Sequence, residues 1–96
     1  MINQINQEKY LDERNEVING IKEVLITNLH VELDPTLINN DQPLFGRGLE
    51  LDSIDALELN VGILEKFDVQ IDDDDTETMA SVNKLADYIL KTKELD

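Results

Sequence analysis

The sequence predicts an all-α bundle: three main helices plus a short additional one, with a long loop between the first and second. Three observations carry that reading. Apolar residues recur at helical spacings in three separate stretches. The aromatics are only Tyr10, Phe45, Phe67 and Tyr88, too few for a β-rich core. A chain of 96 residues with 41% hydrophobic content can build one modest core and not two.

The first helix is expected at about 8–30. Leu11, Val17, Ile18, Ile21, Val24, Leu25 and Leu29 form one apolar stripe, and Gly20 interrupts it at a cost of about 1 kcal/mol. Residues 1–9 are polar and weakly periodic, an extension that is either frayed or the start of this helix; residues 10–96 read as the single domain. Residues 31–52 contain Pro35, Pro43, Gly46 and Gly48 and read as a loop. A loop that long needs a function or its own packing, which Leu37, Ile38, Leu44, Phe45, Leu49 and Leu51 can supply. The second helix, about 53–67, has a wide apolar face from Ile54 to Phe67, with Asp55, Glu58 and Glu65 between the hydrophobes. An acidic connector, Asp68 to Asp75, follows, then a short helical turn around Thr76–Ala80. The last helix, about 82–93, carries Val82, Leu85, Ala86, Ile89 and Leu90, with Lys91 and Lys93 placed to complement its dipole.

The formal charge is −14, and it is not spread evenly. Residues 50–77 hold eleven acids and one base, net −10, whereas residues 1–49 hold eight acids and four bases, net −4. Such a chain is a poor ligand for nucleic acid, which needs Lys and Arg to displace counterions. It is equally unsuited to anionic membranes. It favours partners with basic surfaces. No cysteine is present, which removes disulfides, thiolate metal sites and a cysteine nucleophile. His30 is the lone histidine, and its position at the end of the first helix suits a C-terminal charge or packing residue better than a base. No apolar run is long enough to span a membrane, and residues 1–9 lack the features of a signal peptide. A monomeric cytoplasmic protein, not an enzyme, is expected.

Most candidate chemistries fail on spacing. An EF-hand loop needs Gly at its sixth position and Glu at its twelfth. Starting at Asp72 these are Glu77 and Asn83, and starting at Asp73 they are Thr78 and Lys84, so no metal site is assigned. No serine sits in a G-x-S-x-G elbow, and no phosphate-binding glycine loop occurs. Ser53 stands out. Asp52-Ser53 ahead of an apolar-periodic helix is most often an ordinary N-cap. Ser53 has no base to make it a nucleophile, yet a helix N-terminus suits an attached phosphate.

The segment Leu49-Glu-Leu-Asp-Ser-Ile-Asp-Ala-Leu-Glu-Leu59 resembles the acyl carrier protein family. The likeness continues through Glu65-Lys66-Phe67, Ile71, Val82 and Asp87-Tyr88-Ile89, and residues from about 17 to 90 lie along the family pattern. It implies a 4′-phosphopantetheine arm on Ser53, attached by a phosphopantetheinyl transferase. It also implies acyl-transferring and chain-elongating enzymes with basic patches as partners, in fatty acid, lipid or polyketide-type biosynthesis. The implied docking residues are Asp52, Ile54, Asp55, Glu58, Val61 and Glu65. The implied acyl-cleft lining is Leu59, Ile63, Ile71, Met79, Leu85 and Ile89, residues that plain core packing would explain equally well. Glu50, Asn60 and Leu64 depart from the family pattern, at positions where a glycine, an apolar residue and an acid are frequent. Two alternatives stand beside the carrier: an acidic helical adaptor using Ser53 only as a cap, and an aminoacyl or peptidyl carrier.

Overall fold

A computed structural model describes residues 2–45 and 51–94, with side chains described over 11–45 and 51–93. Gly46, Gly48, Leu49 and Glu50 lie outside the described residues, as does the side chain of Tyr10. Three α-helices are present among the described residues: α1 (Ile2–Thr27), α2 (Ser53–Phe67) and α3 (Val82–Glu94). No strand is present among them beyond one isolated bridge between Phe45 and Leu51.

α1 starts six residues earlier than the apolar stripe suggests and stops three earlier. Nothing in residues 2–19 breaks a helix, since the first glycine is Gly20 and the first proline Pro35. At the other end His30 adopts the left-handed conformation (φ 58°), and the Val31 N–H donates to Leu25 O at 3.1 Å. That reversal keeps Leu29 in the core although it lies beyond the helix. His30 itself is exposed.

The loop is packed in part by its own hydrophobes. Ile38 and Leu44 are buried, and Phe45 and Leu51 partly so. Leu37 differs from expectation: it ends a 3-10 turn over Pro35–Leu37, capped by Asp34, and is exposed. Two backbone bonds pin the loop to the start of α3, Leu44 N–H to Ala80 O and Asn83 N–H to Asn40 O.

α1 is the backbone of the bundle, packing against α3 and less extensively against α2. Among the described residues no comparable packing joins α2 to α3. The connector 68–81 joins them and buries Val69, Ile71 and Met79 in the common core. The short helix expected around 76–80 is instead a series of turns, with one i→i−4 bond from Met79 N–H to Asp75 O. Its first residues are held by Asp75, which accepts from both the backbone N–H and the hydroxyl of Thr78. Those two bonds favour the ionised carboxyl and lower the Asp75 pKa, the hydroxyl contributing most. The side-chain bonds substitute for the helical ladder over a segment too short to nucleate one.

Glycines set the α1–α2 approach. A Cβ at Gly62 would lie 2.5 Å from Val24 Cγ1, and one at Gly20 would lie 2.6 Å from Phe67 Cζ. Each helix contributes a glycine where the other presses closest. The Gly20 that weakens α1 locally is therefore a packing residue.

Candidate functional site

The site is built at the N-terminus of α2. Asp52 is its N-cap, accepting from the Asp55 N–H at 2.9 Å, while Asp55 accepts from the Asp52 N–H at 2.9 Å. This capping box takes up the cap position, so Ser53 is the first residue of the helix and not its cap. The Ser53 side chain is exposed, and no hydrogen bond engages its hydroxyl among the described residues. The adaptor alternative needed Ser53 as a cap, and that duty belongs to Asp52. Ser81, the other serine, is buried and accepts from the Lys84 N–H at the start of α3.

A cleft of about 440 Å³ opens beside Ser53. Phe45, Leu51, Ala56, Leu57 and Met79 give it an apolar lining, and Asp52, Asp73, Asp74 and Thr76 a polar margin. Of the six lining residues expected from the resemblance, Met79 is in this wall. Leu59, Ile63, Leu85 and Ile89 are wholly buried in the common core, and Ile71 is nearly so. Sequence reasoning missed Phe45, Leu51, Ala56 and Leu57 as cleft residues. They come from the loop and from the Ser53 side of α2, and only the fold brings these together.

α2 also carries an apolar stripe that faces away from the core. Ile54, Leu57, Val61 and Leu64 are 68, 52, 48 and 43% exposed. Their spacing of three, four and three places them along one side of the helix. Asp52, Glu58 and Glu65 are exposed around it, whereas Asp55 is half-buried with its carboxylate held in the capping box. At the far end Asp68 closes α2 in the left-handed conformation (φ 58°), its N–H donating to Leu64 O.

The family described as "Phosphopantetheine attachment site" matches residues 19–89, from the last third of α1 into α3, and the match includes Ser53. The chain belongs to the acyl carrier protein family. It is similar to the acyl carrier protein of Buchnera aphidicola subsp. Schizaphis graminum, with 36% identity over 78% of this chain and 91% of that protein. The acyl carrier protein of Sulfurovum sp. (strain NBC37-1) is 33% identical over 76% of this chain and 93% of its own. That of Wolinella succinogenes is 31% identical over 80% and 97%. As a family member the chain is a carrier and not an enzyme, its cofactor is 4′-phosphopantetheine, and its partners include a phosphopantetheinyl transferase and biosynthetic enzymes.

The residues present fit that cofactor. An exposed, unengaged hydroxyl stands on the first turn of a helix. The capping box uses the N–H groups of Asp52 and Asp55 and leaves those of Ser53 and Ile54 to face a phosphate. An apolar cleft adjoins them. The group supplies the thiol that this cysteine-free chain lacks. No cluster of His, Cys, Asp or Glu suited to a metal ion occurs among the described residues, and no described helix is long and apolar enough to cross a membrane.

Proposed function

We propose that Ser53 is the attachment point of the phosphopantetheine arm, and that the chain holds acyl intermediates of fatty acid, lipid or polyketide-type biosynthesis as thioesters on it. The observation that carries this is the division of labour at the start of α2: Asp52 caps, and Ser53 is left exposed and unengaged beside the cleft. The Ser53 hydroxyl has no base of its own, so the transferase removes its proton as the Ser53 oxygen bonds to the pantetheine-side phosphorus of coenzyme A, and the diphosphate P–O bond breaks to release adenosine 3′,5′-bisphosphate. The chain's part is to present the hydroxyl and to favour the phosphate through the helix N-terminus. Phe45, Leu51, Leu57 and Met79 then offer an apolar surface that keeps the acyl group from water.

Partner enzymes dock on α2. Ile54, Val61 and the neighbouring Leu57 and Leu64 supply the contact area, and Asp52, Glu58 and Glu65 the charge. The net −10 over residues 50–77 steers basic patches toward this helix in the cytoplasm.

The test uses the missing cysteine. After incubation with coenzyme A and a phosphopantetheinyl transferase, wild-type protein freed of small molecules is expected to show one titratable thiol per chain, and Ser53→Ala none. A thiol in Ser53→Ala, or none in wild type, refutes the assignment.

A further inference from the structure

Among the described residues, a polar group in a cavity wall next to the cleft is left without a partner. Asn60 is 8% exposed. Its Nδ2 donates to Asp73 Oδ1 at 2.7 Å, while its Oδ1 is buried and has no hydrogen-bond partner among the described residues. Buried polar atoms in native proteins are nearly always paired, so an orphaned one calls for an explanation. Asn60 lines a cavity of about 150 Å³ between α2 and the connector, together with Leu57, Ile71 and Asp73. Leu57 and Asp73 also line the larger cleft beside Ser53, so the two spaces share a wall. Asn60 lies seven positions after Ser53 on the helix. That is two turns, on nearly the same face and about 10.5 Å along the axis.

Resting on the reading of Ser53 as attachment point, we infer that Asn60 determines cargo specificity. Its carbonyl oxygen accepts a hydrogen bond from a hydroxyl on the acyl chain, so the carrier shelters hydroxyacyl chains in preference to saturated ones. The physical basis is an asymmetry. A saturated chain laid against Asn60 Oδ1 keeps that atom dry and unpaired, whereas a hydroxyl group pairs with it. An apolar residue at this position would pay no such penalty with a saturated chain. The amide N–H groups of the arm offer the same donor chemistry, and the test separates them from the cargo.

The protein is loaded with a β-hydroxyacyl or a saturated acyl chain of equal length. Hydroxylamine cleavage of each thioester is then measured relative to the same acyl group on free pantetheine, since a sheltered thioester is cleaved slowly. Wild type is expected to protect the hydroxyacyl chain about fivefold better, the effect of one neutral hydrogen bond. Asn60→Val removes the acceptor and is expected to abolish or reverse that preference. Equal protection in wild type, or an unchanged preference in Asn60→Val, overturns the inference. If the bare arm raises the melting temperature in wild type and not in Asn60→Val, with no preference between cargoes, the donor is the arm, and the cargo assignment is likewise overturned. Failure of wild type to load at all refutes the reading of Ser53, and this inference with it. A loaded protein without preference refutes the inference alone.

Discussion

Ser53 and Asp52 are adjacent residues with separable roles, and stability measurements can tell them apart. Asp52 satisfies an N–H of the first turn, so Asp52→Ala is expected to lower stability by about 1 kcal/mol in urea denaturation. Ser53→Ala removes no hydrogen bond found among the described residues and is expected to fall within about 0.5 kcal/mol of wild type. An equal loss in both would make Ser53 part of the cap. Asp52-Ser53 was legible in the sequence as a pair, because both residue types cap helices and the family motif contains both. Which of them caps was not legible from residue type alone. The reciprocal position of Asp55 carried the signal, since an acid three residues after the cap marks a capping box. Asn60 was legible only as a departure from an apolar pattern. Its bond to Asp73 joins residues 13 apart across a turn, which periodicity does not reveal.

At the scale of elements, α2 and α3 lie where their apolar repeats place them, and the last lysines of α3 fall in its final turn. The ends of α1 do not follow its repeat. An apolar stripe reports which face is buried, not where a helix with no breaker stops, and a polar stretch such as 2–9 adds nothing to it. The segment around Thr76–Met79 shows the converse, with helix-like composition but side-chain bonds from Asp75 in place of a ladder. Gly62 is the clearest case of a residue whose role needs a partner helix to be seen. Its missing Cβ lets Val24 approach, so Gly62→Val is expected to cost about 1–3 kcal/mol through overpacking, read as a lower urea midpoint at unchanged slope. A neutral or stabilising effect would mean that the α1–α2 contact has room to spare. The loop's role as a cleft wall was beyond sequence reasoning, because Phe45 and Leu51 meet Met79 only once the chain has folded.

Across the whole molecule the charge of −14 works in two directions. On the proposed reading it draws basic partners to α2, and it sets the acids of residues 50–77 against one another. Screening relieves the second effect: the Debye length shrinks from about 30 Å at 0.01 M salt to about 10 Å at 0.1 M. Added salt is therefore expected to raise the melting temperature, and a flat or falling curve would show that repulsion does not limit stability. The same charge should make docking of basic partner enzymes weaken as salt rises, so stability and partner affinity respond to salt with opposite sign. The absence of cysteine acts at this scale too, because any thiol on the protein must arrive with the arm. The most direct measurement is therefore the mass of the protein purified from its own cell, intact and after proteolysis. The expected result is one phosphopantetheine, with or without an acyl group, on the peptide that contains Ser53. An unmodified Ser53 peptide, or the same group found on another residue, would contradict it.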